Sequence, residues 1–230
     1  MGSTNSSYTT QDAPNLLLKY YYLKRNPQEI EAFVKQNKSV SDLIRAFFND
    51  QHTYYDTVNE KEFEKYALEH LKPKSFSEPR ILHKRKYIYL YVGTFVGLFN
   101  KPVYRTLKEQ YQSTIRNAVA ESKKRKLPLW IDLSKNEGGD ETVMIQPFRL
   151  LSDSKIPQGV VQVSGMTNSA GEMLAATLIY DYNFIRVGPR TSGSLSISKN
   201  FVLDNGKAFL GVTTGPYTTP AGNLINQFYL

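Results

Sequence analysis

Residues 127–134, "LPLWIDLS", constrain the fold more than any other stretch of this chain. A continuous apolar run of that length, without helical periodicity, reads as a strand buried on both faces. Such strands belong to parallel sheets covered by helices, and the flanking sequence supplies the helices. Upstream lies a long amphipathic segment, about 102–125, entered at Pro102 and ending in the cations Lys123, Lys124, Arg125 and Lys126, where the helix dipole favours positive charge. Downstream come a Gly-Gly turn, a helix near 141–151, the strand "GVVQVSG", a helix from Ser169 and the strand "FIRVG". Strands alternating with helices imply parallel pairing through right-handed crossovers. "KYIYLYVG", from residue 86, adds another β-rich segment, and "SLSISKNFVLDNGKAFLGVTTGPYTTP" reads as a hairpin about an Asp-Asn-Gly turn.

The first 72 residues have a different texture. "APNLLLKYYYLKR", "PQEIEAFVKQN", "SVSDLIRAFFND" and "NEKEFEKYALEHLK" carry apolar residues at helical spacing. The organisation expected is therefore an N-terminal helical region over 1–72, a Pro/Ser/Lys linker over 73–85, and an α/β core with a C-terminal hairpin over 86–230. With 40% hydrophobic residues the chain can bury a proper core.

Composition narrows the chemistry. There is no cysteine, so disulfides, thiol nucleophiles and thiolate metal sites are excluded. Three histidines in dissimilar contexts do not suggest a metal cluster, and no cofactor motif is present. No apolar run reaches the roughly 20 residues of a membrane span. "MGSTNSSYTTQ" lacks the form of a signal peptide and reads as a trimmed terminus from which a native address or anchor was removed. The net charge of +8 lies largely in two runs, His83-Lys84-Arg85-Lys86 and 123–126. These read as solvated ends, or as attraction to an anionic envelope or membrane surface. Without a zinc-finger, recognition-helix or RNA-binding signature, nucleic acid is not expected as a partner.

Three short stretches carry candidate chemistry. His52 in "FFNDQHTYYD" stands at the end of an expected helix, where it could simply bond the last carbonyls. Gly138 and Gly139 in "WIDLSKNEGGDETVMI" could be a tight turn. Ser169 in "TNSAGEM" is followed three residues later by Glu172, the pattern of a capping box. Together the three stretches hold what acyl transfer needs: a nucleophile at a helix start, amides beside a glycine turn, and a histidine that can take and return a proton. Among other groups, Glu172 and Asp181 are candidate orienting carboxylates, Asp132 reads as a loop-holding residue, and His70 and His83 have no partner motif.

The motifs resemble those of the C-terminal processing (tail-specific) serine proteases. "DLSKNEGG" is similar to the family's Asp-Leu-Arg-x-Asn-x-Gly-Gly strand-turn, and "NSAGEMLAATL" to its Ser-Ala-x-Glu helix. "VGPRTSGS" is similar to its Gly-x-x-Thr-x-Gly turn, and "LDNGKAFLGVTTGPYTTPAG" to its terminal hairpin. The likeness runs from about residue 86 to residue 222. It implies a crotonase/ClpP-like α/β protease core with an N-terminal helical bundle and small cap. The family's PDZ module is not expected, because the stretch between His52 and the buried strand already holds two helices and a strand. Where the processing branch carries its lysine base, this chain has Ser194. The tricorn-like and nisin resistance branch instead uses an N-terminal histidine, and "NDQHTYYD" is similar to that pattern. The resemblance thus implies Ser169 as nucleophile, His52 as base, and an oxyanion hole from Gly138, Gly139 and Ala170. It implies a peptide substrate cut near its C-terminus, a lanthionine-containing antimicrobial peptide in the nisin resistance branch, and an extracytoplasmic, cell-surface address. Capture of a cationic peptide by so basic a chain would rest on local acidic groups such as Glu137, Asp140 and Glu141. The alternatives are a degenerate, peptide-sequestering protein on the same fold, or a processing protease for another substrate.

Overall fold

The computed structural model describes residues 8–20, 28, 32, 35–36, 39–47, 53–57, 79–95, 102–152, 156–204, 208–227 and 229–230. Two compact units divide the chain, one formed by residues 1–69 with 196–216 and the other by 70–195 with 217–230.

The first unit combines helices α1 (Ala13–Tyr20) and α2 (Val40–Phe47) with strands β1 (Tyr54–Asp56), β7 (Ser196–Leu203) and all but the last two residues of β8 (Ala208–Thr218). β8 lies between β1 and β7, antiparallel to both. Leu16 and Leu17 of α1 and Leu43 of α2 are buried in one cluster with Phe201, Leu203, Leu210 and Val212 of the hairpin. The hairpin expected within the 86–230 core thus packs with the N-terminal helices. Its alternating residues present one apolar face, and that face is covered by the apolar stripes of α1 and α2. Tyr54–Asp56 is a strand where the sequence suggested only a helix end, because its pairing partner, Phe209–Gly211, is far along the chain. The expected helix over 59–72 and His70 lie outside the described residues.

The second unit is built on a five-stranded sheet in the order β2 (Arg80–His83), β3 (Ile88–Tyr91), β4 (Leu129–Asp132), β5 (Val160–Gln162), β6 (Ile185–Val187). β3 through β6 are parallel, as the alternation of strands and helices requires, and β2 adds an antiparallel edge. β2 falls inside the expected linker 73–85. Its short run "RILH" is flanked by charge and leans on β3 for its identity. His83 ends that strand, opposite Ile88.

Helix α3 (Pro102–Arg125) crosses between β3 and β4. Its residues Tyr111, Ile115, Ala118, Val119 and Ser122 recur at helical spacing and are all buried. The four apolar ones share one core with Ile88, Leu90, Leu129, Ile131 and Val161 of the sheet. α3 ends at Lys126, in the left-handed conformation at φ +53. There Leu127 N–H bonds the Ser122 carbonyl and Lys126 N–H the Lys123 carbonyl, a Schellman closure. The next crossover holds α4 (Glu141–Ile145) and a 3-10 turn (Gln146–Leu151), and α5 (Ala170–Tyr182) joins β5 to β6. Every residue of α5 from Ala170 to Leu178 is buried, so this helix runs through the core.

The sheet's second face is less covered than "LPLWIDLS" implied. Leu82, Tyr89, Trp130, Val160 and Ile185 stand in register across the five strands. Leu82 and Ile185 are about half exposed, and Tyr89, Trp130 and Val160 are half-buried.

Truncating the inward face of α3 tests this packing. Ile115→Ala, at a fully buried position, should cost about 3 kcal/mol in chemical denaturation. Glu109→Ala, at an exposed position on the same helix, should stay within about 0.5 kcal/mol of the unaltered chain.

Candidate active site

The parallel strands deliver their polar turns to one edge of the second unit. The turn after β4 carries Gly138 and Gly139, and the turn after β5 carries Ser169 at the start of α5. Asn136, fully buried, organises the first turn. Its Nδ2 donates to the Val92 and Gly93 carbonyls at 3.0 and 2.9 Å, and its Oδ1 accepts the Gly138 N–H at 2.8 Å. The Asn136 carbonyl accepts the Asn168 N–H at 2.9 Å and so holds the serine turn against the glycine turn. Contact is close enough to fix residue types. A Cβ on Gly138, whose φ is +101, would lie 2.9 Å from both Ser169 Cβ and the Asn168 carbonyl oxygen, and 3.2 Å from Ala170 N. A Cβ on Gly171 would lie 2.6 Å from Asn136 Oδ1.

Ser169 adopts φ +49 and ψ −119, a conformation that an L-residue holds at a cost of about 1–3 kcal/mol. The amides of Glu172 and Met173 bond its carbonyl at 2.9 and 3.0 Å. A sharp, strained turn from strand to helix presents a side chain at the top of a sheet. Two amides at this edge have no hydrogen-bond partner among the described residues: Gly139 N–H, on an exposed residue, and Ala170 N–H, in the first turn of α5. Gly138 N–H is engaged by Asn136. The glycine turn and the serine turn therefore lie together at this edge. Within the glycine pair, Gly139 holds the open donor and Gly138 supplies the close approach.

Glu172 does more than begin a helix. Its side chain is fully buried, and its Oε2 accepts the Ser169 N–H at 3.0 Å, the Ser194 N–H at 2.7 Å and the Ser192 hydroxyl at 3.2 Å. Its Oε1 accepts the Gly193 N–H at 3.0 Å. The turn 192–194, which includes the serine found where a lysine was sought, is thereby pinned to the start of α5. Asn136 has no role in the reading of the sequence, and Glu172 only that of a helix-start or orienting carboxylate. Both lie inside the quoted motifs, where their distant bonding partners leave no local signal.

The other carboxylates serve the scaffold. Asp132 accepts from Tyr89 Oη at 2.5 Å and from Ser134 N–H at 2.8 Å, and burial together with this bond raises the Tyr89 hydroxyl far above its usual range. Asp181 accepts from Thr219 Oγ1, Ala221 N–H and Asn223 Nδ2, which anchors the segment after β8. Glu141, beside Gly139 and the N-cap Asp140, has its carboxyl raised by burial and then by Asp140. A cavity of about 620 Å³ lies near Asp181 and Phe184, at the opposite end of α5 from Ser169, about 20 Å away by helical rise. Among the described residues no group of His, Asp or Glu is placed to hold a metal, and no helix is long and apolar enough to cross a membrane. His52 lies outside the described residues. Its neighbour Thr53, in the first unit, is buried, and its Oγ1 accepts the Thr213 N–H at 3.1 Å.

No family model and no curated protein matches the sequence. Solved structures do match. A lipoprotein from Streptococcus agalactiae superposes with a TM-score of 0.65 at 15% identity, over 100% of this chain and 93% of that one. A candidate peptidase from Parabacteroides merdae gives a TM-score of 0.57 at 14% identity, over 98% of this chain and 88% of that one. The photosystem II D1 C-terminal processing protease gives 0.46 at 24% identity, over 63% of this chain and 40% of that one. The first two share this fold over nearly the whole chain, with its α/β architecture and parallel-rich sheet.

The strain at Ser169 gives a sharp test. Ser169→Gly removes the positive-φ penalty and should raise stability by about 1 kcal/mol in urea denaturation. An ordinary helix cap at this position would instead lose a few tenths of a kcal/mol on the same change.

Proposed function

We propose that the protein is a serine peptidase of the C-terminal processing type, with Ser169 as nucleophile and His52 as general base. The observation that carries this reading is Ser169 held at φ +49 beside two open amides, Gly139 N–H and Ala170 N–H. In the first step Ser169 Oγ attacks the scissile carbonyl while His52 takes its proton. The two amides receive the charge that develops on the carbonyl oxygen, with Gly138 keeping the approach clear. His52 then returns the proton to the leaving amine, and water, activated by the same imidazole, releases the acyl group. Removing one oxyanion donor from such a site costs about 3 kcal/mol of barrier.

The substrate is a peptide cut near its C-terminus. By its likeness to the histidine-using branch, we assign it to lanthionine-containing antimicrobial peptides met outside the cytoplasm, with cleavage conferring resistance. Glu137, Asp140 and Glu141, grouped beside Gly139, supply local negative charge for a cationic peptide on an otherwise basic chain. A second reading keeps the fold and replaces cutting by sequestration. It is favoured by the missing lysine, with Ser194 in its place.

Digests of lanthionine-containing and linear peptides, followed by mass spectrometry, separate the readings. The native chain should release a C-terminal fragment, and Ser169→Ala or His52→Ala should lower kcat by at least about 1,000-fold. The rate should fall at acidic pH, as a histidine must be neutral to act as base. Binding without cleavage by the native chain would select sequestration. Undiminished cleavage by Ser169→Ala would sink the nucleophile assignment.

A further inference from the structure

The two basic runs, separate in sequence, meet in the second unit. Lys84, Arg85 and Lys86 form the turn that enters β3, closed by the Lys84 N–H on the Tyr87 carbonyl at 3.1 Å. Lys124, Arg125 and Lys126 end α3 and lead into β4. The two turns are adjacent, since Ile88 N–H bonds the Pro128 carbonyl at 3.0 Å and Ile88 pairs with Leu129. All six side chains belong to exposed residues. Arg125 leans on Glu121 at 3.8 Å, whereas the other five have no carboxylate partner among the described residues. The Schellman closure at Lys126 fixes where the second run points. Beside the turns, Tyr87 and Trp130 stack with ring centroids 5.6 Å apart, both half-buried, and the Trp130 Nε1–H bonds Gln162 Oε1 at 3.0 Å.

Exposed cations gathered at one end of a sheet, five of the six without a carboxylate partner among the described residues, and flanked by a tyrosine and a tryptophan, fit the charged headgroups and interfacial layer of an anionic bilayer. These cations sit on two turns, not along a helix face or ribbon that could enter a nucleic-acid groove. We propose that this end of the second unit docks onto membranes rich in anionic phospholipid. The strands run from this edge to the one carrying Gly139 and Ser169, about 13 Å away by strand rise. Docking would therefore leave the serine edge facing away from the lipid. The inference uses none of the groups assigned to peptide cleavage and stands whether or not the protein cuts peptides.

Co-sedimentation of the full chain with vesicles tests it. The protein should bind an equal mixture of phosphatidylglycerol and phosphatidylcholine, and not phosphatidylcholine alone. Binding should fade between about 50 mM and about 500 mM salt, as screening shortens the reach of the charges. Trp130, the only tryptophan in the chain, should shift its emission to the blue on binding. A variant combining Lys84→Gln, Arg85→Gln, Lys86→Gln and Lys124→Gln should bind more than about a hundredfold more weakly, at about fivefold per charge. A variant losing the same charge elsewhere, Arg105→Gln with Lys108→Gln, Arg116→Gln and Lys135→Gln, should keep most of its binding. Equal loss in both variants, equal binding to neutral vesicles, or tighter binding to duplex DNA at matched phosphate would overturn the proposal.

Discussion

A buried carboxylate at the head of α5 sets the terms for the serine edge. Glu172 is excluded from solvent, and a charge in that position is tolerable only when its acceptor sites are filled. Three amides fill them, those of Ser169, Gly193 and Ser194, while the Ser192 hydroxyl, 3.2 Å away, donates more closely to Asn168 Oδ1 at 2.7 Å. The N-terminal dipole of α5 adds to that compensation. One side chain thereby fixes the backbone at the serine and the turn opposite it. The positive φ of Ser169 persists because these bonds over-determine it.

Asn136 performs the matching service on the glycine side. It spends both amide hydrogens on the carbonyls that follow β3, and its own oxygen on the Gly138 amide. The result is selective. Gly138 is turned inward and its donor is consumed, while the Gly139 amide, at φ +120, has no partner among the described residues. A neutral side chain suits this work, since it must offer donors and an acceptor within one buried turn. Gly171 completes the arrangement by its size, because any Cβ there would run into Asn136.

Much of the second unit could be read along the chain because its signals are local. The apolar run of β4, the helical stripe from Tyr111 to Ser122, and the small-residue entry to α5 each announce themselves within a dozen residues or so. What escaped depends on distant partners. β1 is three residues long and exists by pairing with β8, and β2 exists by pairing with β3. Neither has an apolar pattern of its own. The hairpin could be read as a hairpin, but its apolar face had two candidate partners, and pattern alone did not say that the N-terminal helices cover it. The motif around Ser169 was legible as a unit, yet its local grammar could not separate a cap from a nucleophile. The backbone adds what the letters could not show, a serine that keeps the capping pair with Glu172 and yet sits at a strained positive φ.

The same backbone bears on Ser194, the serine found where a lysine was sought. A lysine base would have to emerge from the turn that Glu172 holds, beside a buried carboxylate that favours the protonated ammonium. Here the turn keeps its bonds to Glu172 through backbone amides, which any residue but proline at 194 supplies. The bond that ties the turn to Glu172 is thus independent of which side chain stands at 194. On the peptidase reading proposed above, the base is then free to come from elsewhere than position 194, because the backbone that holds Ser169 beside the glycine turn does not draw on that side chain for its bond to Glu172.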